Sequence, residues 1–161
     1  MKIQFTVPGP PQGKARPRFA KSRTYTPQNT VAYEKLVRVK YRSAAIGVVP
    51  AEGAVSVTVL ACYPIPKSAS KAQRVKMLTG ALKPTKKPDA DNVAKIICDA
   101  LNGLAYKDDA QVVELQVHKR FSETPGVTVV VESGTERQGE AGKACGTRTR
   151  YRRPAGGAGR G

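Results

Sequence analysis

All five aspartates of this 161-residue chain fall between Asp89 and Asp109. They come as Asp89-Ala-Asp91, then Asp99, then the adjacent Asp108 and Asp109, with Lys87 and Lys95 among them. Carboxylates crowded together raise one another's energy, and a hard divalent cation with oxygen ligands relieves that cost. The molecule around them is strongly cationic, with a formal net charge of +16. Such a surplus suits a polyanion, above all nucleic-acid phosphate. An acidic cluster able to hold Mg²⁺, in a protein able to hold nucleic acid, is the outline of metal-assisted phosphodiester hydrolysis.

The same residues admit a plainer reading. On a helix running from Asn92, the residues Val93, Ile96, Ile97, Ala100, Leu101 and Leu104 form an apolar stripe about 140° wide at 100° per residue. Asp91, Lys95, Asp99 and Asn102 then occupy the opposite, solvated side. Asp91 to Lys95 is a favourable i,i+4 pair, and Asp91 could be no more than a helix cap. Against this stand three features. Asp89 and Asp91 are two apart at a helix start, where a short extended segment can aim both the same way. Asp108-Asp109 belongs to the next connection, and no aspartate occurs elsewhere. On spacing alone a metal site and a charged surface weigh equally. Helix rise also places Asp99 about 12 Å beyond Asp91, too far to share one ion easily.

Other chemistry finds little material. Gly9-Pro-Pro-Gln-Gly13-Lys14 is one residue short of a phosphate loop, and its prolines remove backbone donors such a loop needs. His118 is the only histidine and reads as a strand surface residue. Cys62, Cys98 and Cys145 are odd in number and widely spaced, against a disulfide framework or zinc knuckle and in favour of a reducing cytoplasm. No apolar run is long enough to span a membrane, and Met1-Lys2-Ile3-Gln4 lacks a signal peptide's apolar core, so no membrane association is expected.

The elements that must position the cluster follow from hydrophobic periodicity. Ile3, Phe5 and Val7 alternate as a first strand ending at Pro8, and Val55, Val57, Val59 and Ala61 as a second. Thr26-Pro27 predicts a helix N-cap and first position, followed by Ala32, Leu36 and Val39 at helical spacing. Residues 70–79 allow a short basic helix stopped by Gly80. After the acidic helix, residues 113–117 and 127–131 read as two last strands joined by a turn at Thr124-Pro-Gly126. The order is β-α-β-(α)-α-β-β, a mixed α+β fold in which two main helices pack a small mixed sheet, with no internal repeat. Residues 1–132 form the domain. Residues 133–161, rich in Gly and Arg and without Ile, Leu, Val, Phe or Met, are expected to be a disordered basic tail.

Within this frame, Lys87-Pro-Asp89-Ala-Asp91-Asn92-Val-Ala-Lys95-Ile-Ile-Cys-Asp99-Ala-Leu-Asn-Gly, then Tyr106-Lys-Asp108-Asp109-Ala-Gln111-Val, resembles the signature of RusA-type Holliday junction resolvases, a family common in prophages. Val7-Pro-Gly-Pro-Pro-Gln-Gly-Lys14-Ala-Arg16-Pro-Arg18-Phe19 and Tyr25-Thr-Pro are similar to the opening of many members. The resemblance covers roughly residues 3–131 and is dense between 87 and 112. It implies a homodimeric, Mg²⁺-dependent endonuclease acting on four-way DNA junctions in recombination and repair, with Mn²⁺ able to substitute. It further implies Asp89, Asp91 and Asp109 as metal ligands and Lys95 as the essential basic residue; Asp108 and Asp99, outside that set, are candidates for a supporting place behind it. Asp108 is set aside because adjacent residues of an extended segment point opposite ways, while Asp109 is in phase with Val113 and Leu115. Lys14, Arg16, Arg18, Lys21, Arg23, Lys67, Lys71, Arg74, Lys76, Lys83, Lys86 and Lys87 are the expected DNA-binding surface. A four-way junction has near two-fold symmetry, and a chain without a repeat can match it only with a second copy. The expected setting is the cytoplasm of a bacterial or phage-infected cell. Alternatives are a non-catalytic DNA-binding protein with a structural ion, and a nuclease of other branched or flap DNA.

Overall fold

The computed structural model describes residues 1–134 except 17, 21 and 22, with backbone alone for 18–20 and 23–25. The tail expectation for 135–161, including Cys145, lies outside the described residues. The elements are β1 (Lys2–Pro8), β2 (Arg18–Ala20), β3 (Arg23–Tyr25), α1 (Gln28–Ala44), β4 (Val55–Pro64), α2 (Lys71–Leu78), α3 (Ala90–Leu101), a short 3-10 turn (Asp109–Gln111), β5 (Val112–Ser122) and β6 (Gly126–Ser133). The mixed α+β class is as expected. The β2–β3 hairpin adds to the expected order, and β6 runs one residue into the segment assigned to the tail.

Four strands form one sheet in the order β1-β6-β4-β5, antiparallel except for β4 and β5. Ile3, Phe5, Val7, Val55, Val57, Val59, Ala61, Val127, Val129 and Val131 alternate onto one buried face, which α1 and α3 cover. The expected hairpin of the last two strands does not form. β4 lies between β5 and β6, and the connection through residues 123–125 passes the end of β4 instead. Burial fits the order: β4 and β6, with Val55, Val57, Val59, Val127, Val129 and Val131 fully buried, take the middle, whereas β5 exposes Glu114, Gln116, His118 and Arg120 and stays at the edge.

The first helix differs from its sequence reading in two ways. Pro27 is the N-cap rather than Thr26; its carbonyl accepts from Thr30 and Val31. The buried line is Thr30, Tyr33, Val37 and Tyr41, while Ala32 faces solvent, Val39 is 57% exposed and Leu36 is only half-buried. The tyrosines win because their rings fill the space over the sheet: Tyr41 stands edge-on to Phe5 at 5.7 Å between centroids. In α3, by contrast, Val93, Ile96, Ile97, Ala100 and Leu101 are buried as the stripe predicts, joined by Ala94. The short basic helix is also present, started by a reciprocal capping box between Ser70 and Gln73.

Candidate active site

The Asp89–Asp91 segment is the N-terminus of α3, with Asp89 as N-cap in extended conformation and Ala90 the first helical residue. Three other parts of the chain hold it. Gly13 lies so close that a Cβ there would stand 2.8 Å from the Pro88 Cβ and 3.0 Å from the Asn92 Cβ, and the next amide, Lys14, donates to the Asn92 carbonyl at 2.9 Å. The Tyr63 hydroxyl, at the end of β4, donates to the Pro88 carbonyl at 2.9 Å. From β5, the Lys119 ammonium donates to the carbonyls of Lys86 (2.9 Å) and Pro88 (3.0 Å) while lying 4.9 Å from the centre of the Tyr63 ring. Burial pushes the Tyr63 phenol up, and the Asp89 charge adds to the shift.

Asp91, Lys95, Cys98, Asp99 and Asp109 surround a single depression floored by Val112 and Leu115. Asp89 does not open into it. Helical backbone from Ala90 onward turns Asp91 away, and Asp89 faces a neighbouring hollow with Gly13, Lys14 and Asn92. The expectation that one extended segment aims both carboxylates alike is therefore corrected. Burial raises the Cys98 thiol, against a lowering hydrogen-bond interaction with Tyr106 and with the negative charges of Asp99 and Asp109 raising it further. Past the extended Asp108, residues 109–111 are not extended either. Asp108 caps the 3-10 turn by accepting from the Ala110 amide at 2.8 Å, and Asp109 begins that turn. A register shift at the start of β5 puts Asp109 with Val112 and Leu115, while Val113 points away and is 72% exposed.

The five aspartates thus divide by partner. Asp99 is paired with Lys14 at 2.8 Å, and Asp108 is tied to its own turn. The carboxylates of Asp89, Asp91 and Asp109 have no hydrogen-bond or ion-pair partner among the described residues, and neither has the Lys95 ammonium. Free carboxylate oxygens of this kind are the donors that Mg²⁺ selects. Among the described residues, however, no three His, Cys, Asp or Glu side chains are gathered closely enough to hold an ion as they stand.

Lys14 changes role. Its ammonium bridges Glu34 of α1 and Asp99 of α3 and is only 23% exposed, so it is not a free cation for DNA. Burial works against its charge, but hydrogen bonds and attraction from Asp99 and Glu34 outweigh this and raise its pKa. Arg74 is shared with Glu123 at 3.1 Å across exposed surface. Arg16, Lys67, Lys71, Lys76, Lys83, Lys86 and Lys87 are exposed, and the side chains of Arg18, Lys21 and Arg23 lie outside the described residues. Sequence reasoning missed Gly13, Glu34, Tyr63 and Lys119. Lys119 did carry a signal: it occupies the same strand phase as Val117 and Phe121, where a lysine needs a reason.

Two comparisons bear on this arrangement. Residues 8–132 match the family model described as endodeoxyribonuclease RusA. The chain is also 41% identical over 143 residues to the uncharacterised protein YqaN of Bacillus subtilis (strain 168), covering 80% of this chain and 94% of that protein. A match running from the end of β1 through the aspartate helix and into the last strand means that this chain belongs to the RusA family of endodeoxyribonucleases.

Proposed function

We propose that the chain is a Mg²⁺-dependent resolvase of four-way DNA junctions, acting as a homodimer in the cytoplasm in DNA recombination and repair. The observation that carries the reading is the division of the aspartates. Asp89, Asp91 and Asp109 are left without partners around the start of one helix, in a protein whose other two aspartates are satisfied. Membership of an endodeoxyribonuclease family gives that division its chemical meaning.

Asp91 and Asp109, which share one depression, would hold the ion, and Asp89 would join them once its exposed side chain turns from the neighbouring hollow. When bound, Mg²⁺ supplies an activated water and positive charge at the scissile phosphate. Lys95, one turn into α3 from Asp91 and itself unpaired, contacts a phosphate oxygen and stabilises charge developing there. The attacking water oxygen joins phosphorus as the bond to the 3′ oxygen breaks. The products are a 5′ phosphate and a 3′ hydroxyl, which a ligase can seal. Asp99 is kept out of the donor set by Lys14, which leaves the other carboxylates as the negative pole of the site. Exposed Arg16, Lys71, Lys76, Lys86 and Lys87 supply phosphate contacts. The dimer rests on the symmetry of the substrate, and the apolar edge at Val113 offers surface for a second copy.

Cleavage of a mobile synthetic four-way junction, beside a flap and a duplex, with Mg²⁺ or EDTA, tests the reading. Asp89→Asn, Asp91→Asn and Asp109→Asn are each expected to abolish cutting while junction binding persists or tightens, because each removes negative charge near DNA phosphate. Wild-type cutting by all three would refute the metal assignment. Preferential cutting of the flap would favour the other branched-DNA reading.

A further inference from the structure

Beside the aspartate helix, on the side of Asp89, the surface carries an apolar hollow of about 320 Å³. Its walls are Tyr63, Pro66, Met77, Leu82, Pro84 and Phe121. Lys83, Lys86 and Lys87 stand around it, all exposed, and no acidic residue lines it. A neighbouring hollow shares Met77, Leu82, Lys83, Pro84 and Phe121 and continues as far as Ala90, the residue between Asp89 and Asp91. Together they form a groove over Met77, Leu82 and Phe121, rimmed by lysines, that reaches Ala90 between two of the proposed metal-binding aspartates.

This combination selects a ligand. An apolar peptide would gain nothing from the lysines, and duplex DNA presents no exposed base face to the floor. A single nucleotide lifted from its stack presents both a flat apolar ring and an adjacent phosphate, and aromatic and proline walls suit the ring. Tyr63 links the two functions, since its ring walls the hollow while its hydroxyl holds the Pro88 carbonyl next to Asp89. We infer that this hollow receives one unstacked base of the strand to be cut, with Lys83, Lys86 and Lys87 on the flanking phosphates. The pocket would then set any base preference at the cut. The inference rests on the nuclease reading above.

The test measures binding of the full-length protein to fluorescent four-way junctions in EDTA. An abasic site is moved one nucleotide at a time through the strand around the cut. At one position the wild type is expected to lose affinity on the order of tenfold, as for loss of a stacked base. Leu82→Glu and Phe121→Ala should bind intact and abasic junctions equally. Leu82 is 40% exposed, so its variant reports even where Phe121→Ala fails to fold. An adenine analogue, 2-aminopurine, at the sensitive position should brighten on binding the wild type and not the variants. The inference is overturned if no position shows more than a twofold loss, or if the variants keep the wild-type ratio. Failure to cut the same junctions when Mg²⁺ replaces EDTA would instead overturn the nuclease reading, and is seen separately from binding.

Discussion

Removing the Tyr63 hydroxyl and the Lys119 ammonium together is expected to cost more than the two losses added. Both donate to the Pro88 carbonyl, at 2.9 and 3.0 Å, immediately before Asp89. Tyr63→Phe keeps the buried ring and loses one neutral hydrogen bond, about 1 kcal/mol. Lys119→Met keeps most of the stem but loses its bond to Lys86, its share of Pro88 and the contact with the Tyr63 ring, together about 1–3 kcal/mol after allowing for partial exposure. Either single variant still leaves Pro88 one donor. Only the double variant leaves it none, which adds a desolvation cost, so the coupling should be about 1 kcal/mol or more. Urea unfolding of the four proteins measures it. Stabilities that add within about 0.5 kcal/mol would show that the two donors do not act on one carbonyl and would refute the clamp.

Gly13→Ala should be destabilising by about 1–3 kcal/mol, since the new Cβ meets the Pro88 and Asn92 Cβ atoms, which cannot swing aside; junction cleavage should fall with it, and an unchanged melting temperature would contradict the close approach. For Lys14, the folded pKa lies above the ordinary 10.5, so its charge-linked stabilisation is complete below that value and is lost as pH rises through the folded value. The stability gap between wild type and Lys14→Met should therefore hold to about pH 10 and shrink above 10.5; a gap that widened with alkali would reverse the sign. Asp99→Asn should retain cutting of the same order as wild type, since Lys14 keeps Glu34 as a partner; loss equal to that of Asp91→Asn, in a folded protein, would place Asp99 in the metal site.

Much of the molecule is legible in its residues alone. Alternation in β1 and β4 and the stripe on α3 are local properties, because each element must bury one face and its period is set by backbone geometry. The motif from Lys87 to Val112 likewise points to the family, which the match over residues 8–132 bears out. Pairing of elements is a different matter. Residues 113–131 look like a hairpin, yet β4 enters between the two strands, where the inward valines of both β4 and β6 are fully buried and the polar β5 is left at the edge. The buried face of α1 escapes the sequence for the same reason: Ala32, Leu36 and Val39 fit a helical period, but the space above Phe5 suits Tyr33, Val37 and Tyr41. At the site, the sequence supplies five carboxylates and cannot say which are spoken for. Lys14 reaches Asp99 from the far end of the chain and Lys119 reaches Pro88 across 31 residues, and contacts at such separations leave no periodic trace. Residue types and local spacing therefore determined what chemistry was available, whereas the packing of distant elements decided which aspartates remained free to perform it.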